Sequence, residues 1–248
     1  MFEWKSSVVA AGVILLLAST GYADPIIIDD FTDGYCSISL AYSGGLPQDS
    51  GWKTVSATAL GSYRSMRLQL VGPPSGGSGS STARVDQANL PGALTWDEDA
   101  CLDGVLMLKY DANGVGLGGI DLTSGGTASQ FVFRHGTDAH TAALTIDVYD
   151  QSGGHSQLLT TLPSTPTTNI MTTSLFNFTS FSAVGTAADF TDADEVVFTI
   201  SSATQGGGDY SFSLGEHGGG NVPEPATVIL LAAGLGAAAL ARRHRLRR

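Results

Sequence analysis

The chain has 248 residues, of which 42% are hydrophobic and 14% are charged, with 12 basic against 23 acidic residues and two cysteines. This composition argues against intrinsic disorder, collagen and a disulfide-rich scaffold, and it fits one globular domain or two. Between Asp24 and Asn221, 21 acidic minus 6 basic residues give a net charge of −15, which would repel nucleic-acid phosphates and anionic lipid headgroups. We therefore expect no nucleic-acid partner.

The first 23 residues have the pattern of a secretory signal peptide. Lys5 precedes an uncharged run from Val8 to Ala18, and small residues lie before the expected cut between Ala23 and Asp24. The apolar run is nearer to about 12 residues than to the ~20 that a membrane span needs. The sequence therefore predicts export through the secretion translocon and cleavage by signal peptidase. An uncleaved N-terminal anchor is the alternative.

Residues 24–217 alternate short apolar or β-branched stretches with Gly, Asp, Asn, Ser and Pro. In one stretch the apolar residues Met66, Leu68 and Leu70 alternate strictly with Arg67 and Gln69, a period of two that is typical of half-buried strands. The predicted strands are Pro25–Phe31, Ser37–Tyr42, Thr54–Leu60, Tyr63–Val71, Thr82–Val85, Gly104–Tyr110, Gln130–Arg134, Thr141–Tyr149, Gln157–Thr161, Val196–Ser201 and Tyr210–Leu214.

No segment of this body sustains a helical period over three turns. A second strict alternation places Leu144, Ile146 and Val148 around Thr145 and Asp147. So many short strands in one continuous segment favour an all-β fold. We expect a single antiparallel β-sandwich of jelly-roll type over residues 24–217. A body of this size can bury a core without support from a metal ion or a disulfide.

Cys36 and Cys101 are the two cysteines of the chain. Export would place them in an oxidising compartment, where two thiols commonly pair, so the sequence predicts a disulfide between them. The alternative is a pair of buried thiols too far apart to meet.

Acidic residues cluster in several turns, and carboxylate oxygens in loops suit a weak extracellular calcium site. The candidate ligands are Asp29, Asp30 and Asp33. The acidic clusters lack EF-hand spacing, and aspartates also cap the backbone amides of turns. The acidic clusters therefore fit either a structural calcium ion or solvated turn carboxylates. No other cofactor is expected.

The sequence names no catalytic residue. It contains neither a His-Glu-x-x-His zinc motif nor a Gly-x-Ser-x-Gly elbow. Gly114–Gly119 matches the dinucleotide-binding pattern, but the residues after it cannot open the helix that would hold a pyrophosphate, so we expect a tight turn. Glu98 has an aromatic neighbour, Trp96, but a glycosidase needs two carboxyl groups across a cleft, which sequence alone does not reveal.

Exposed aromatic side chains can stack on sugar rings. Trp52, which lies between Gly51 and Lys53, and Trp96, which precedes three acidic residues, are the candidate glycan contacts because of these polar neighbours. The alternative for each is packing at the rim of the core.

The C-terminal segment predicts a short transmembrane helix. Residues 226–241 are uncharged and would form a helix of roughly 24 Å. Basic residues after a span stay in the cytoplasm, so the body would face outward, in agreement with the signal peptide. The predicted cytoplasmic cluster consists of Arg242, Arg243, Arg245, Arg247 and Arg248.

A glycine-rich linker and Pro223-Glu224-Pro225 occupy residues 218–225, directly before this helix. The Pro-Glu-Pro motif, the apolar helix and the arginine cluster together resemble the PEP-CTERM sorting signal. The resemblance implies a secreted protein of an exopolysaccharide-producing Gram-negative bacterium, processed by exosortase, a membrane-embedded cysteine protease. A plain membrane anchor is the alternative. The body more loosely resembles a type of PEP-CTERM passenger domain that brings no established activity.

We therefore expect an exported, exosortase-processed protein that is transiently anchored by its C-terminal helix and then resides at the cell surface or in the extracellular matrix. We expect a structural or glycan-associated module rather than an enzyme, and the resemblance implies association with exopolysaccharide. The alternatives are a carbohydrate-active enzyme, hydrolase or lyase, and a surface adhesin that binds protein.

Overall fold

A computed structural model describes residues 27–73, 78–86, 92–100, 102–138, 140–168, 171–202 and 207–214. These residues form β-strands and two short 3₁₀ turns, at Leu60–Ser62 and Phe178–Ser180. The strands are β1 (Cys36–Ala41), β2 (Gln48–Asp49), β3 (Lys53–Ser56), β4 (Tyr63–Gly72), β5 (Ser80–Val85), β6 (Leu94–Glu98), β7 (Asp103–Tyr110), β8 (Gln130–Thr137), β9 (Ala142–Asp150), β10 (His155–Leu162), β11 (Thr172–Asn177), β12 (Ser182–Ala183), β13 (Ala193–Ser201) and β14 (Asp209–Ser213).

The strands form two antiparallel sheets that enclose one core. The six-stranded sheet has the order β1-β5-β6-β14-β8-β11, and the eight-stranded sheet has the order β12-β10-β9-β13-β7-β4-β2, with β3 also paired to β4. Where the sheets meet, the Phe198 ring of β13 lies 5.9 Å from the Phe131 ring and 6.0 Å from the Phe133 ring of β8, measured between centroids. The predicted all-β antiparallel sandwich is confirmed.

Strict alternation of buried and half-buried residues builds this core. In β7 every second residue is buried, from Gly104 to Tyr110, and β9 has the same pattern from Ala142 to Asp150. Burial of a large apolar side chain contributes about 1.5–3 kcal/mol, so a strand with three or four inward residues is firmly held. The same alternation leaves one full set of side chains on the outside of each sheet.

The predicted strands differ from the observed ones at several points. Within the predicted strand Pro25–Phe31, Asp29 forms only isolated bridges, to Ala59 and Leu214. β6 and β11 are absent from the predicted set, because β6 carries two acidic residues and β11 is rich in polar Thr and Ser. Pairing with neighbouring strands, rather than local apolar content, makes these two segments strands.

The glycine-rich segment Gly114–Gly119 forms the predicted turn. Gly116 has a φ of 89°, and a Cβ at this position would collide with the Asp194 carboxylate, so both the backbone conformation and the space require glycine. Ile120 then forms a bridge to Ala193, and turns rather than a helix follow.

Trp96 is a core residue, which corrects its prediction as a glycan contact. Its side chain is 0% exposed and stacks on Tyr210, with 5.0 Å between the ring centroids. The indole Nε1 donates a hydrogen bond to Ser81 Oγ at 2.9 Å. Trp96 occupies an inward position of β6, between β5 and β14, and its polar sequence neighbours do not change that orientation.

Glu98 also points inward from β6 and is only 5% exposed. Ser81 Oγ donates a hydrogen bond to Glu98 Oε1 at 3.2 Å. Burial is the dominant cause that raises the pKa of Glu98 to about 8. In the folded protein this carboxyl group is therefore mainly protonated at neutral pH.

Asp29 and Arg64 form a buried ion pair that fixes the chain before β1 against β4. Both side chains are 0% exposed, with 2.5 Å between Arg64 Nη2 and Asp29 Oδ1 and 2.6 Å between Arg64 Nε and Asp29 Oδ2. Tyr110 donates a third hydrogen bond to Asp29 Oδ2 at 3.0 Å. The guanidinium also donates to the backbone carbonyls of Asp33 and Gly34. The buried charges of Arg64 and Asp29 are thus paired with each other and further hydrogen-bonded to neighbouring protein groups.

We expect Asp29→Ala to destabilise the fold by about 3–5 kcal/mol, because it leaves the Arg64 charge buried without its carboxylate. Asp49→Ala removes the exposed partner of Arg67 and is the matched control, with an expected cost of at most about 1 kcal/mol. Urea unfolding of both variants at one pH measures the difference. Equal losses would show that the buried pair has no special role.

We also expect Glu98 to make the fold less stable as pH rises. Its folded pKa of about 8 lies above the ordinary value of 4.5, so between these limits the unfolded chain ionises Glu98 while the folded chain keeps the proton. The contribution of Glu98 to the free energy of unfolding is largest below pH 4.5, the ordinary pKa, and it falls by about 1.4 kcal/mol per pH unit up to about pH 8, the folded pKa. Glu98→Gln should reduce this slope.

The measurement is the urea midpoint of wild type and Glu98→Gln across that pH window. Asp86→Asn, which removes a partly exposed carboxyl group near Arg84, is the control and should keep the wild-type slope. A Glu98→Gln variant with the same slope as wild type would contradict the assignment.

Candidate functional site

The outward surface of the eight-stranded sheet carries the candidate site, and we call it the outer face. Since alternate residues of each strand are buried in the core, the residues between them point outward. The strand register aligns these outward residues in rows across the sheet, and one row runs from Arg67 through Met107, Thr199 and Thr145 to Leu159.

Trp52 presents an aromatic ring on this face. Its side chain is 41% exposed, and it directly precedes β3 at the edge of β4. Arg67 Cζ lies 5.8 Å and Lys109 Nζ 5.1 Å from the ring centroid. Cations on two neighbouring strands therefore hold the indole in place by cation–π contacts, and the ring stays accessible to solvent. Of the two predicted glycan contacts, Trp52 is the one that lies at the surface.

Asp49 of β2 orients the guanidinium beside the indole. Arg67 Nε lies 2.9 Å from Asp49 Oδ1 and 3.0 Å from Oδ2, and Gln69 Nε2 donates to Oδ2 at 3.1 Å. The hydrogen bonds from Arg67 are the main cause that holds the pKa of Asp49 well below its ordinary value. We call Asp49, Trp52, Arg67 and Gln69 the Trp52 cluster, a preformed group of one aromatic and three planar polar side chains.

Lys109 links this cluster to the acidic residues near the middle of the sheet. Its Nζ lies 2.5 Å from Asp111 Oδ2. On the next strand, burial is the first cause that raises the pKa of Glu195, and the carboxylates of Asp111, Asp194 and Asp147 add to it, while Lys109 acts in the opposite direction. Three carboxyl groups and one lysine thus act on Glu195 in this region of the outer face.

A second polar cluster lies on β9 and β10. Asp147 Oδ1 is 2.7 Å from His155 Nε2 and accepts a hydrogen bond from Gln157 Nε2 at 2.8 Å. The Tyr149 and His155 rings are stacked, with 4.2 Å between centroids and an interplanar angle of 14°. We call Asp147, Tyr149, His155 and Gln157 the His155 cluster. The Asp147 and His155 side chains are only 13% and 18% exposed although they face outward, as expected for a densely packed surface.

Between the two clusters, next to Lys109 and Glu195, lies a strip of uncharged side chains. They belong to β7 and β13, are half-buried and combine methyl or thioether surface with hydroxyl groups. These residues are Val105, Met107, Val197, Thr199 and Ser201. A ligand that covered this strip would contact both apolar surface and hydroxyl groups.

The candidate calcium ligands do not converge. Asp29 is paired with Arg64, Asp30 caps the turn that follows it, and Asp33 accepts hydrogen bonds from the backbone and side chain of Thr58 at 2.7 and 2.5 Å. Each carboxylate therefore satisfies a separate local donor, which corrects the predicted Asp29–Asp30–Asp33 site. The described part of the chain contains no group of three or more His, Cys, Asp or Glu side chains that could hold a metal ion.

Cys36 carries a free, buried thiol, with its Sγ 3.1 Å from Met66 Sδ. The register of β1, β5 and β6 aligns Cys36 with Val85 and Leu94, at the end of β6 opposite to the one that Cys101 follows. Cys101 itself lies outside the described residues. The disulfide stays a prediction to which the strand register lends no support.

The predicted segments at both ends of the chain lie outside the described residues. They comprise the signal peptide with its cut between Ala23 and Asp24, the Pro223-Glu224-Pro225 motif, the helix at 226–241 and the arginine cluster. Among the described residues between 27 and 214, no helix is long and apolar enough to cross a membrane.

Most residues of the two clusters are absent from the sequence-based site prediction. Arg67, Gln69 and Asp147 nevertheless stand between the apolar residues of the two strictly alternating strands, which marks them as outward-facing. The partners of these residues come from other strands, and no local signal in the sequence identifies such partners.

Comparison with protein families finds a PEP-CTERM protein-sorting motif at residues 221–248. No curated protein matches the chain. Among solved structures, the chain is similar to a family 11 carbohydrate-binding module of a cellulosomal cellulase of Clostridium thermocellum, with 15% identity, a TM-score of 0.37, and coverage of 77% of this chain and 91% of that one.

A family 29 carbohydrate-binding module in complex with mannohexaose is similar at 10% identity, with a TM-score of 0.35 and coverage of 79% of this chain and 91% of that one. An exo-β-agarase is similar at 12% identity, with a TM-score of 0.38 and coverage of 77% and 24%. Likenesses at this level carry no argument about the ligand of this chain. The match to the family model differs from these structural likenesses because it covers the same residues that carry the sequence resemblance. The C-terminal segment of this β-sandwich protein is a PEP-CTERM protein-sorting motif.

Proposed function

We propose that this chain is an exported protein that binds extracellular polysaccharide through its outer face and does not cleave it. The observation that carries the proposal is the exposed Trp52 ring, which Arg67 and Lys109 hold from adjacent strands. A large aromatic surface that is exposed and fixed in orientation favours a binding role, because a ligand that stacks on it does not have to order it first.

The chemistry around the ring suits a sugar. A pyranose presents C–H groups that pack on an aromatic face, and it carries hydroxyl groups that pair with planar polar side chains. The Trp52 cluster offers both, since Asp49, Arg67 and Gln69 surround the indole and already hydrogen-bond to one another. Such preorganised groups lose little conformational entropy when a ligand binds.

Binding without cleavage is supported by the state of the nearby carboxyl groups. The low pKa of Asp49 keeps this carboxylate ionised, so it is a poor general acid, and Asp111 is paired with Lys109. Glu98, whose pKa burial raises to about 8, lies in the core between the sheets rather than in a cleft. None of these three groups is placed to protonate a glycosidic oxygen above Trp52.

The sorting motif supports the cellular side of the proposal. A PEP-CTERM motif indicates export, and the resemblance implies recognition of the tail by exosortase. We propose that exosortase processing releases the sandwich from its C-terminal helix, and that it then resides at the cell surface or in the extracellular matrix, in contact with exopolysaccharide.

We expect Trp52→Ala to weaken binding to the producing organism's own extracellular polysaccharide by about tenfold or more, because the stacking surface is lost. Calorimetry with the full-length protein in mild detergent measures the affinity, and size-exclusion chromatography of the polymer afterwards tests for cleavage. Leu175→Ala, an exposed apolar change on the other sheet, is the control and should bind like wild type. Absence of binding in wild type would overturn the proposed role, and a shortened polymer would make the protein an enzyme.

Replacing Pro223, Glu224 and Pro225 with alanine should leave export intact and trap the unprocessed protein in the inner membrane, because the prolines hold the segment extended for the protease. Immunoblots of membrane, surface and medium fractions measure size and location. Serine in place of Gly218, Gly219 and Gly220 is the control, since it keeps the motif, and it should be processed normally. The same size and location for the alanine variant and wild type would exclude processing through this motif.

A further inference from the structure

We infer that the outer face recognises at least four consecutive units of an uncharged polysaccharide, with one end of this run on the Trp52 cluster and the other on the His155 cluster. The inference rests on the proposed glycan-binding function and deepens it by giving the length and charge class of the ligand.

The His155 cluster has the same build as the Trp52 cluster. Each combines an aromatic surface with a carboxylate that is hydrogen-bonded to planar polar partners on a neighbouring strand, Asp49 in one case and Asp147 in the other. Both bonds to Asp147 go to Oδ1, which leaves Oδ2 open to a ligand hydroxyl. Core packing does not require a Tyr149–His155 stack on the outer surface, since the inward residues of β9 already fill the core.

The distance between the clusters sets the length of the ligand. Arg67 and Gln69 lie on β4, Asp147 and Tyr149 lie on β9, and β7 and β13 run between them, which makes three strand steps. At about 4.8 Å per step the clusters are at least ~14 Å apart, and an extended polysaccharide advances by roughly one strand spacing per sugar unit. A monosaccharide or disaccharide would reach one cluster, whereas four units are needed to reach both.

The strip between the clusters suits the middle of such a run. In the row that contains Arg67 the outward residues are Met107 and Thr199. In the next row, which leads to Asp147, they are Val197 and Lys109, and the Lys109 charge is paired with Asp111. The methyl and thioether groups of the strip can pack against the C–H faces of the inner sugar units, while the threonine hydroxyl can exchange hydrogen bonds with them. The strip therefore continues the surface that begins at Trp52.

The charge of the outer face selects for uncharged sugars. Among the described residues of this face, the charges of Arg67 and Lys109 are already neutralised by Asp49 and Asp111. Glu195 and Asp147 add further acidic groups next to the strip. A polymer of uronic acids or sulfated sugars would meet repulsion at this point.

The test uses oligosaccharides of two to eight units, prepared by partial hydrolysis of the producing organism's extracellular polysaccharide and titrated into the full-length protein. We expect the affinity to rise by about tenfold or more between two and six units and then to level off. Tyr149→Ala should lower the affinity for six units toward that for two units, and it should leave the affinity for two units unchanged. Tyr35→Ala, an exposed tyrosine outside the outer face, is the matched control and should leave both unchanged.

Asp147→Asn is the second variant, and it should weaken binding of the six-unit fraction in the same selective way. An affinity that does not depend on length, or a length dependence that survives both substitutions, would overturn the inference while the proposed function stands. If the wild-type protein bound no oligosaccharide of any length, both the inference and the proposed function would be overturned. Oligogalacturonates of matched length are the anionic probes, and tighter binding of these than of neutral fractions at low salt would exclude the uncharged class.

Discussion

The pleat of the β-strands is the constraint on which the rest of this structure depends. Successive side chains of a strand must point to opposite faces, so every residue that enters the core sets the direction of its neighbours. In β4 the burial of Met66 and Leu68 forces Arg67 outward, beneath the Trp52 ring. The core and the outer face are therefore two consequences of one pattern, and a shift of register by one residue would destroy both.

Basic residues are scarce in this acidic body, and the structure uses them to hold carboxylates in defined positions. Arg64 pairs with Asp29 in the interior, where removal of one partner would leave a costly unpaired charge. Arg67 pairs with Asp49 at the surface, where the ion pair adds little stability but fixes the geometry of both side chains. Similar chemistry thus anchors the N-terminal segment in one place and organises a candidate binding surface in another.

The two clusters of the outer face share a design that stability does not explain. Ion pairs at a protein surface contribute little to folding, yet at two places along the same sheet an outward-facing carboxylate and an aromatic ring occur together. An array of rigid aromatic and planar polar groups has a physical rationale as a surface for an extended ligand. A polymer gains affinity from each further contact without a new loss of translational freedom, which suits weak individual contacts such as those with sugars.

The sequence by itself determined the features that are local. Alternation at Met66–Leu70 and Leu144–Val148 indicated half-buried strands and hence an all-β sandwich, and the contiguous C-terminal motif was recognisable because its parts follow one another in order. Only the tertiary structure separated Trp52 from Trp96, since both have polar neighbours in sequence, and only pairing with β5 and β14 puts Trp96 in the core. It likewise assigned Asp29 to Arg64 rather than to a metal ion, and it brought Asp147 beside His155. Such contacts depend on which strands become neighbours and in what register, and this is a property of the whole chain that no short segment carries.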